Sequence, residues 1–124
     1  MRIADTSALY GAFVPADTHH ASAQQLLADA EPIFVPTEIF AETVALLQLR
    51  FGFDAAHQAG SFLRGLPHVR IDGATVGVAE AAWREFARGK GRLSLPDAFV
   101  VAWCLHESAK PLTFDREILK AVGA

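Results

Sequence analysis

The sequence predicts an α/β fold built on a short, mostly parallel sheet, and three observations carry that reading. Four short runs rich in β-branched or aromatic residues recur along the 124-residue chain. Longer segments with apolar residues three and four apart lie between them. The short runs are apolar rather than alternating, as expected of parallel strands covered on both faces by helices. Taken in order, the strands are expected at Arg2 to Ala4, Ile33 to Val35, Val69 to Ile71 and Leu112 to Phe114, each bounded by turn formers or helix starters. The helices are expected at Ala21 to Ala30, Thr37 to Arg50, Asp54 to Gly65, Ala74 to Arg88 and Pro96 to Ser108, where alanine is abundant. Beyond the last strand, Arg116 to Ala124 leaves room for a short helix.

Composition narrows the class. The length suits a single domain over residues 1–124 with no second module. Apolar residues make up 52% of the chain and the net charge is only −3, which excludes intrinsic disorder. Cys104 is the one cysteine, so no internal disulfide can form, and a reducing compartment fits. The longest apolar run, Ala98 to Leu105, is far below the roughly 18 to 20 residues that span a bilayer. The N-terminus lacks a basic stretch followed by a long apolar segment, so a cytoplasmic protein without membrane association is expected. No repeat or low-complexity tract is present.

In parallel sheets, ligands bind beyond the carboxyl ends of the strands. Asp5 directly follows the first expected strand and Asp115 follows the last, so both belong at one sheet edge. Asp97 opens the most apolar helix, and helix starts face that same edge. Glu42 lies inside an apolar helix segment, where an unpaired carboxylate is costly. Taken singly, Asp5 and Asp115 read as helix caps, and Ser94-Leu95-Pro96-Asp97 as a capping box with Asp in place of Glu. Together they pose an electrostatic problem, because two charges 4 Å apart repel by about 4 kcal/mol at an effective dielectric of 20. A divalent cation resolves it, and Mg²⁺ favours carboxylate oxygens with several retained waters. Such a site can activate water against a phosphodiester.

Four anchors in order give the chain a family resemblance. They are Ile3-Ala4-Asp5-Thr6-Ser7-Ala8-Leu9, Phe40-Ala41-Glu42, Leu93-Ser94-Leu95-Pro96-Asp97-Ala98 and Leu112-Thr113-Phe114-Asp115-Arg116. The sequence resembles the PIN-domain ribonucleases over its whole length, and most closely the small VapC-type toxins of toxin–antitoxin pairs. The resemblance implies a three-layer α/β/α fold on four or five strands, the fifth missing or vestigial because so little chain follows Asp115. It implies that Asp5, Glu42, Asp97 and Asp115 ligate one or two Mg²⁺ or Mn²⁺ ions and that a water activated there cuts RNA. It places Thr6, Ser7 and Thr113 as small hydroxyl residues beside the acids. It further implies a homodimer and a separately encoded antitoxin whose helix fills a groove leading to the acids, with Phe51, Phe53 and Phe62 as candidate partner surface.

Other residues are weighed against plainer roles. Arg84, Arg88, Lys90 and Arg92 concentrate positive charge just before Asp97, as RNA-phosphate contacts or an ordinary solvated helix end. Without the four acids, 11 cations face 10 remaining acids, so overall acidity does not exclude an RNA substrate. Glu38 shares a helix face with Glu42 as an extra ligand or, more simply, a first-turn acid. His19 and His20 point to different faces and read as surface residues near a helix start. His57, His68 and His106 show no zinc-ligand spacing. Cys104 reads as a core thiol, and Trp83 and Trp103 as core or subunit interface. Two rival functions are a phosphoacceptor receiver domain, using Asp72 and Lys110, and a non-catalytic PIN module that binds RNA or protein.

Overall fold

A computed structural model describes residues 1–123. Four strands, β1 (Arg2–Ala4), β2 (Ile33–Pro36), β3 (Val69–Asp72) and β4 (Lys110–Leu112), form one all-parallel sheet in the order β3-β2-β1-β4. Helices α1 (Thr6–Phe13), α2 (His20–Ala28), α3 (Thr37–Phe51), α4 (Phe53–Gly65), α5 (Val76–Gly89), α6 (Leu95–Glu107) and α7 (Arg116–Ala121) complete the three layers among the described residues. The α/β class and the α/β/α layering expected from the sequence are observed. The sheet is wholly parallel, and no fifth strand is present among the described residues.

β1 is one of the two inner strands and pairs with both β2 and β4. Arg2 of β1 is 7% exposed, and its guanidinium donates to the carbonyls of Leu26, Asp29 and Glu31, tying the α2–β2 loop to the sheet. Ile3, Phe34 and Val35 are fully buried with Leu9, Ile39, Leu63, Val100, Val101 and Ile118. Trp103 packs on Phe34 with ring centroids 4.7 Å apart, so it is a core residue. Trp83 is 58% exposed on α5.

Three expectations shift. Thr6–Phe13 is a helix the sequence reading passed over, because eight residues containing Gly11 and followed by Pro15 show too little periodicity. Gly11 eases the close crossing of α1 and α2, since a Cβ there would lie a tight 3.3 Å from the Ala23 Cβ and the Asp17 Oδ1. The last strand is Lys110–Leu112 rather than Leu112 to Phe114. Pro111 is tolerated because β4 is an edge strand, where a missing N–H costs no ladder bond. β3, the other edge, alternates half-buried and exposed residues instead of being apolar throughout. The expected C-terminal helix is present as Arg116–Ala121, and Ala124, which the sequence reading included in it, lies outside the described residues. No helix among the described residues is long and apolar enough to cross a membrane.

Candidate active site

The chain runs from β1 through β2 to β3 on one side and returns with β4 on the other, so the strand order switches between β1 and β4. That switch leaves a crevice beyond the carboxyl ends of these two strands. The Asp5 N–H donates to the Leu112 carbonyl at 3.2 Å, which brings the two strand ends together at this point.

Asp5 is 1% exposed and caps α1, accepting from the Ala8 N–H at 2.9 Å. The Ser7 hydroxyl lies 2.9 Å from both of its carboxylate oxygens, and the Thr113 hydroxyl donates to Oδ2. These two hydroxyls also accept from the next loop: Ser7 from the Phe114 N–H at 3.1 Å and Thr113 from the Asp115 N–H at 2.9 Å. The 113–115 segment is thereby fastened to Asp5. Burial raises the Asp5 pKa, the bonds from Thr113, Ala8 and Ser7 oppose the rise, and the Asp115 charge adds to it.

Asp115 caps α7, its Oδ1 accepting from the N–H groups of Glu117 and Ile118 at 2.8 and 3.3 Å. Thr6, the first residue of α1, donates its hydroxyl to Glu42 Oε1, which links α1 to α3. Glu42 is half-buried, less enclosed than its apolar neighbours suggested. Asp97 stands in the first turn of α6, where the Ser94 hydroxyl accepts from its backbone N–H at 3.2 Å. The reciprocal carboxylate bond to the Ser94 N–H that would complete a capping box is not formed among the described residues, so the Asp97 carboxylate is not consumed by capping. Its pKa is pushed up to about 6, chiefly by burial, against the Ser94 hydroxyl and with the charges of Asp5, Asp115 and Glu42 adding to it.

Asp97 therefore feels the other three acids and Asp5 feels Asp115, and among the described residues none of the four is ion-paired with a Lys or Arg. Among the described residues, no three His, Cys, Asp or Glu side chains stand close enough to enclose a metal ion by themselves. The donor set fits an oxygen-seeking dication that keeps several waters, and not a tight all-protein cage. Glu38, in the first turn of α3, has one buried carboxylate oxygen without a hydrogen-bond partner. Cys104 is buried and its thiol is pushed up to about 12, mainly by burial, which makes it a packed core group and no nucleophile. Asp72 ends β3, two strands away from the switch, and accepts from the Gly73 N–H, so the receiver reading gains no geometry.

Two neighbouring surfaces complete the picture. Arg88 and Arg92 line a cleft of about 350 Å³ with Lys120, Glu85 and Glu117, next to the helix that Asp115 caps. Arg84 and Lys90 are exposed outside it, so the cleft gathers two of the four suggested cations and adds Lys120, which sequence distance concealed. A larger apolar groove of about 950 Å³ is lined by Phe13, Val14, Leu47, Phe51, Phe62 and Leu66 among others. It lies at the carboxyl end of α1, whose other end holds Asp5. Phe53 is 65% exposed and lies outside the groove lining, stacked near His57.

Comparison with known proteins agrees with the fold. The solved structure of VapC20 from Mycobacterium tuberculosis, described as a sarcin–ricin loop cleaving toxin, is similar with a TM-score of 0.86 at 27% identity over 98% of this chain and 95% of that one. FitAcB from Neisseria gonorrhoeae is similar in fold, with a TM-score of 0.72 at 18% identity over 98% and 93% of the two chains. Among curated proteins, none matches the chain. The family model of the PIN domain matches residues 2–124, a span that takes in both strands of the switch and every acid gathered around it, and the chain belongs to the PIN-domain family.

Proposed function

We propose that the protein is a divalent-metal-dependent endoribonuclease, the toxin of a toxin–antitoxin pair acting in the cytoplasm. The observation that supports this reading is that Asp97 feels the charges of Asp5, Asp115 and Glu42 beyond the ends of β1 and β4, while among the described residues none of the four is ion-paired with a Lys or Arg. Asp5, Asp97 and Asp115, with Glu42, would hold Mg²⁺ or Mn²⁺. When bound, the ion supplies an activated water and stabilises charge on the phosphodiester. The protein's own part is positioning. Ser7 and Thr113 orient the Asp5 carboxylate and fasten the Asp115 loop to it, and Thr6 fixes Glu42. The retention of all four acids argues against a module that only binds.

Cleavage of a sarcin–ricin-loop RNA, the substrate class of the VapC20 relative, and of total cellular RNA tests the proposal. Cutting that requires Mg²⁺ or Mn²⁺ supports it, and cutting unaffected by chelator overturns it. A binding module would hold RNA equally with and without metal.

The cleft of Arg88, Arg92 and Lys120 suits RNA phosphates, although Arg88 also pairs with Glu85 at 3.0 Å. Arg88→Ala with Arg92→Ala is expected to lower the slope of log affinity against log salt by roughly 1 to 2, since each lost phosphate contact removes about 0.7 to 0.9 from it. Metal affinity should not change. An unchanged salt slope, read by fluorescence anisotropy, would return these residues to the solvated surface.

The apolar groove suits an antitoxin helix, with Phe51 and Phe62 exposed at 54% and 53% on its wall. Phe62→Asp is expected to weaken antitoxin binding by tenfold or more, roughly the loss of one anchoring aromatic, while RNA cleavage persists. Calorimetry with the cognate antitoxin measures the first and a cleavage assay the second. Undiminished affinity would exclude the groove. Val76 and Trp83, seven residues apart on one face of α5 and 80% and 58% exposed, support a homodimer through that helix.

A further inference from the structure

His19 is stacked on Phe114, with ring centroids 4.1 Å apart and planes within 3° of parallel. Phe114 is no ordinary surface aromatic. It stands between Thr113, which donates to Asp5, and Asp115, and its own N–H is fixed to Ser7, which holds Asp5. The ring is half-buried against the core, so one side is anchored and the stack cannot drift from the acids.

Beyond its stack on Phe114, the His19 imidazole makes no hydrogen bond that caps α2. His19 is the residue before α2, where Ser, Thr, Asp or Asn would satisfy the open N–H groups. Its side chain makes no cap bond, and the local turn is held instead by Asp17, whose carboxylate accepts from the His19 N–H at 2.9 Å. Asp17 would hold the turn whatever side chain followed. The adjacent His20 does serve the fold, with Nδ1 2.8 Å from the Gly11 carbonyl. His19 is exposed, so the imidazole face turned away from Phe114 is open to solvent. A flat π-face, rigidly seated beside a phosphodiester-cutting crevice, matches what an unpaired base needs, because proteins hold unstacked RNA bases on Phe, Tyr, Trp and His rings.

We propose that the His19–Phe114 pair is the stacking platform for an unpaired base next to the phosphodiester that is cut, which makes the substrate an RNA whose target nucleotide is splayed out of its helix. This inference rests on the nuclease reading and extends it to how the substrate is held. His19 acts in positioning through its π-face, so its charge and hydrogen-bonding capacity are not required.

The test uses random-sequence single-stranded 10-mer oligoribonucleotides carrying one 2-aminopurine, whose fluorescence is quenched on stacking, with Asp97→Asn protein so that no probe is cut and the Asp5 bonds that seat Phe114 stay intact. The expected result is quenching on binding, weakened on the order of tenfold in affinity by His19→Ala and restored by His19→Phe. In the cleaving protein, His19→Ala should raise KM while kcat stays within about twofold, and His19→Phe should return KM to the original value. Restoration by His19→Lys but not by His19→Phe would overturn the stacking role in favour of a charge contact. Equal quenching in the His19→Ala protein, or none in the parent, would also overturn it. Failure of the nuclease reading shows separately, as RNA binding and quenching without metal-dependent cutting.

Discussion

Asp97→Asn is expected to give a folded protein that no longer cuts RNA and that melts at a higher temperature than the parent in metal-free buffer. Loss of an outer partner at a metal site costs roughly 10- to 100-fold, and loss of a ligand carboxylate should cost at least about a hundredfold. The stability gain comes from electrostatics. Asp97 titrates near 6 in the folded protein against an ordinary 3.8, so the fold favours its neutral form. That contribution is complete below about pH 4 and is lost as pH rises through about 6. Asn is neutral throughout and keeps it at pH 7. With solvent screening of this half-exposed group, the gain is on the order of 1 kcal/mol, or about 3 to 5 °C in a domain of this size. At pH 5 the difference should shrink, because the parent Asp97 is then largely protonated. Saturating Mg²⁺ should stabilise the parent and not the variant. Calorimetric melting at the two pH values, with and without metal, checks each part. A variant less stable than the parent at pH 7 would mean that Asp97 serves the fold and not a metal.

Asp5→Ala is expected to abolish cleavage and, in contrast, to destabilise the protein by about 2 kcal/mol, since an N-cap alone contributes roughly 0.5–2 kcal/mol. Asp5 is the shared acceptor for the Ala8 N–H and the hydroxyls of Ser7 and Thr113. Removing it leaves buried donors unsatisfied, at roughly 1–3 kcal/mol each where water cannot enter. Relief of a buried charge offsets part of this, because burial is the largest influence on the Asp5 pKa. Loosening of the 113–115 segment should also expose Phe114. Urea unfolding measures the shift, and an Asp5→Ala protein as stable as the parent would show that the hydroxyl network does not depend on this carboxylate. Two acids of one site thus differ in sign of stability effect: Asp5 is built into the fold's hydrogen bonding, and Asp97 is held against its own preference.

Much of this was legible in the chain, and the reasons differ by residue. Asp5 directly follows a strand of three fully covered residues, so its place at the sheet edge follows from the strand alone. Asp115 reaches the same edge by another route than expected, because β4 ends at Leu112 and the residues between form a loop tied to Ser7 and Asp5. Pro111 misled the strand assignment, since proline argues against a strand interior, and only the sheet order shows that β4 is an edge. The meeting of Asp97 with Asp5 depends on α6 packing across the sheet, which no local pattern encodes. Lys120 joins Arg88 and Arg92 through the same kind of tertiary contact. The two tryptophans show the limit of helix-face reasoning. Both sit on helices, yet Trp103 faces the sheet against Phe34 and Trp83 faces solvent. His19 shows why a capping position is not legible from residue type alone: its imidazole stands at the start of α2 without capping it.

The most direct measurement is 5′-end mapping of total cellular RNA after incubation with purified protein, run with Mg²⁺, with chelator, and with Asp97→Asn in place of the parent. New ends that appear with Mg²⁺ and vanish both with chelator and with Asp97→Asn are the predicted result. New ends that persist in chelator or in the Asp97→Asn protein, or their absence from the folded, Mg²⁺-loaded parent, would contradict the assignment of these four carboxylates to a metal-dependent RNA-cutting site.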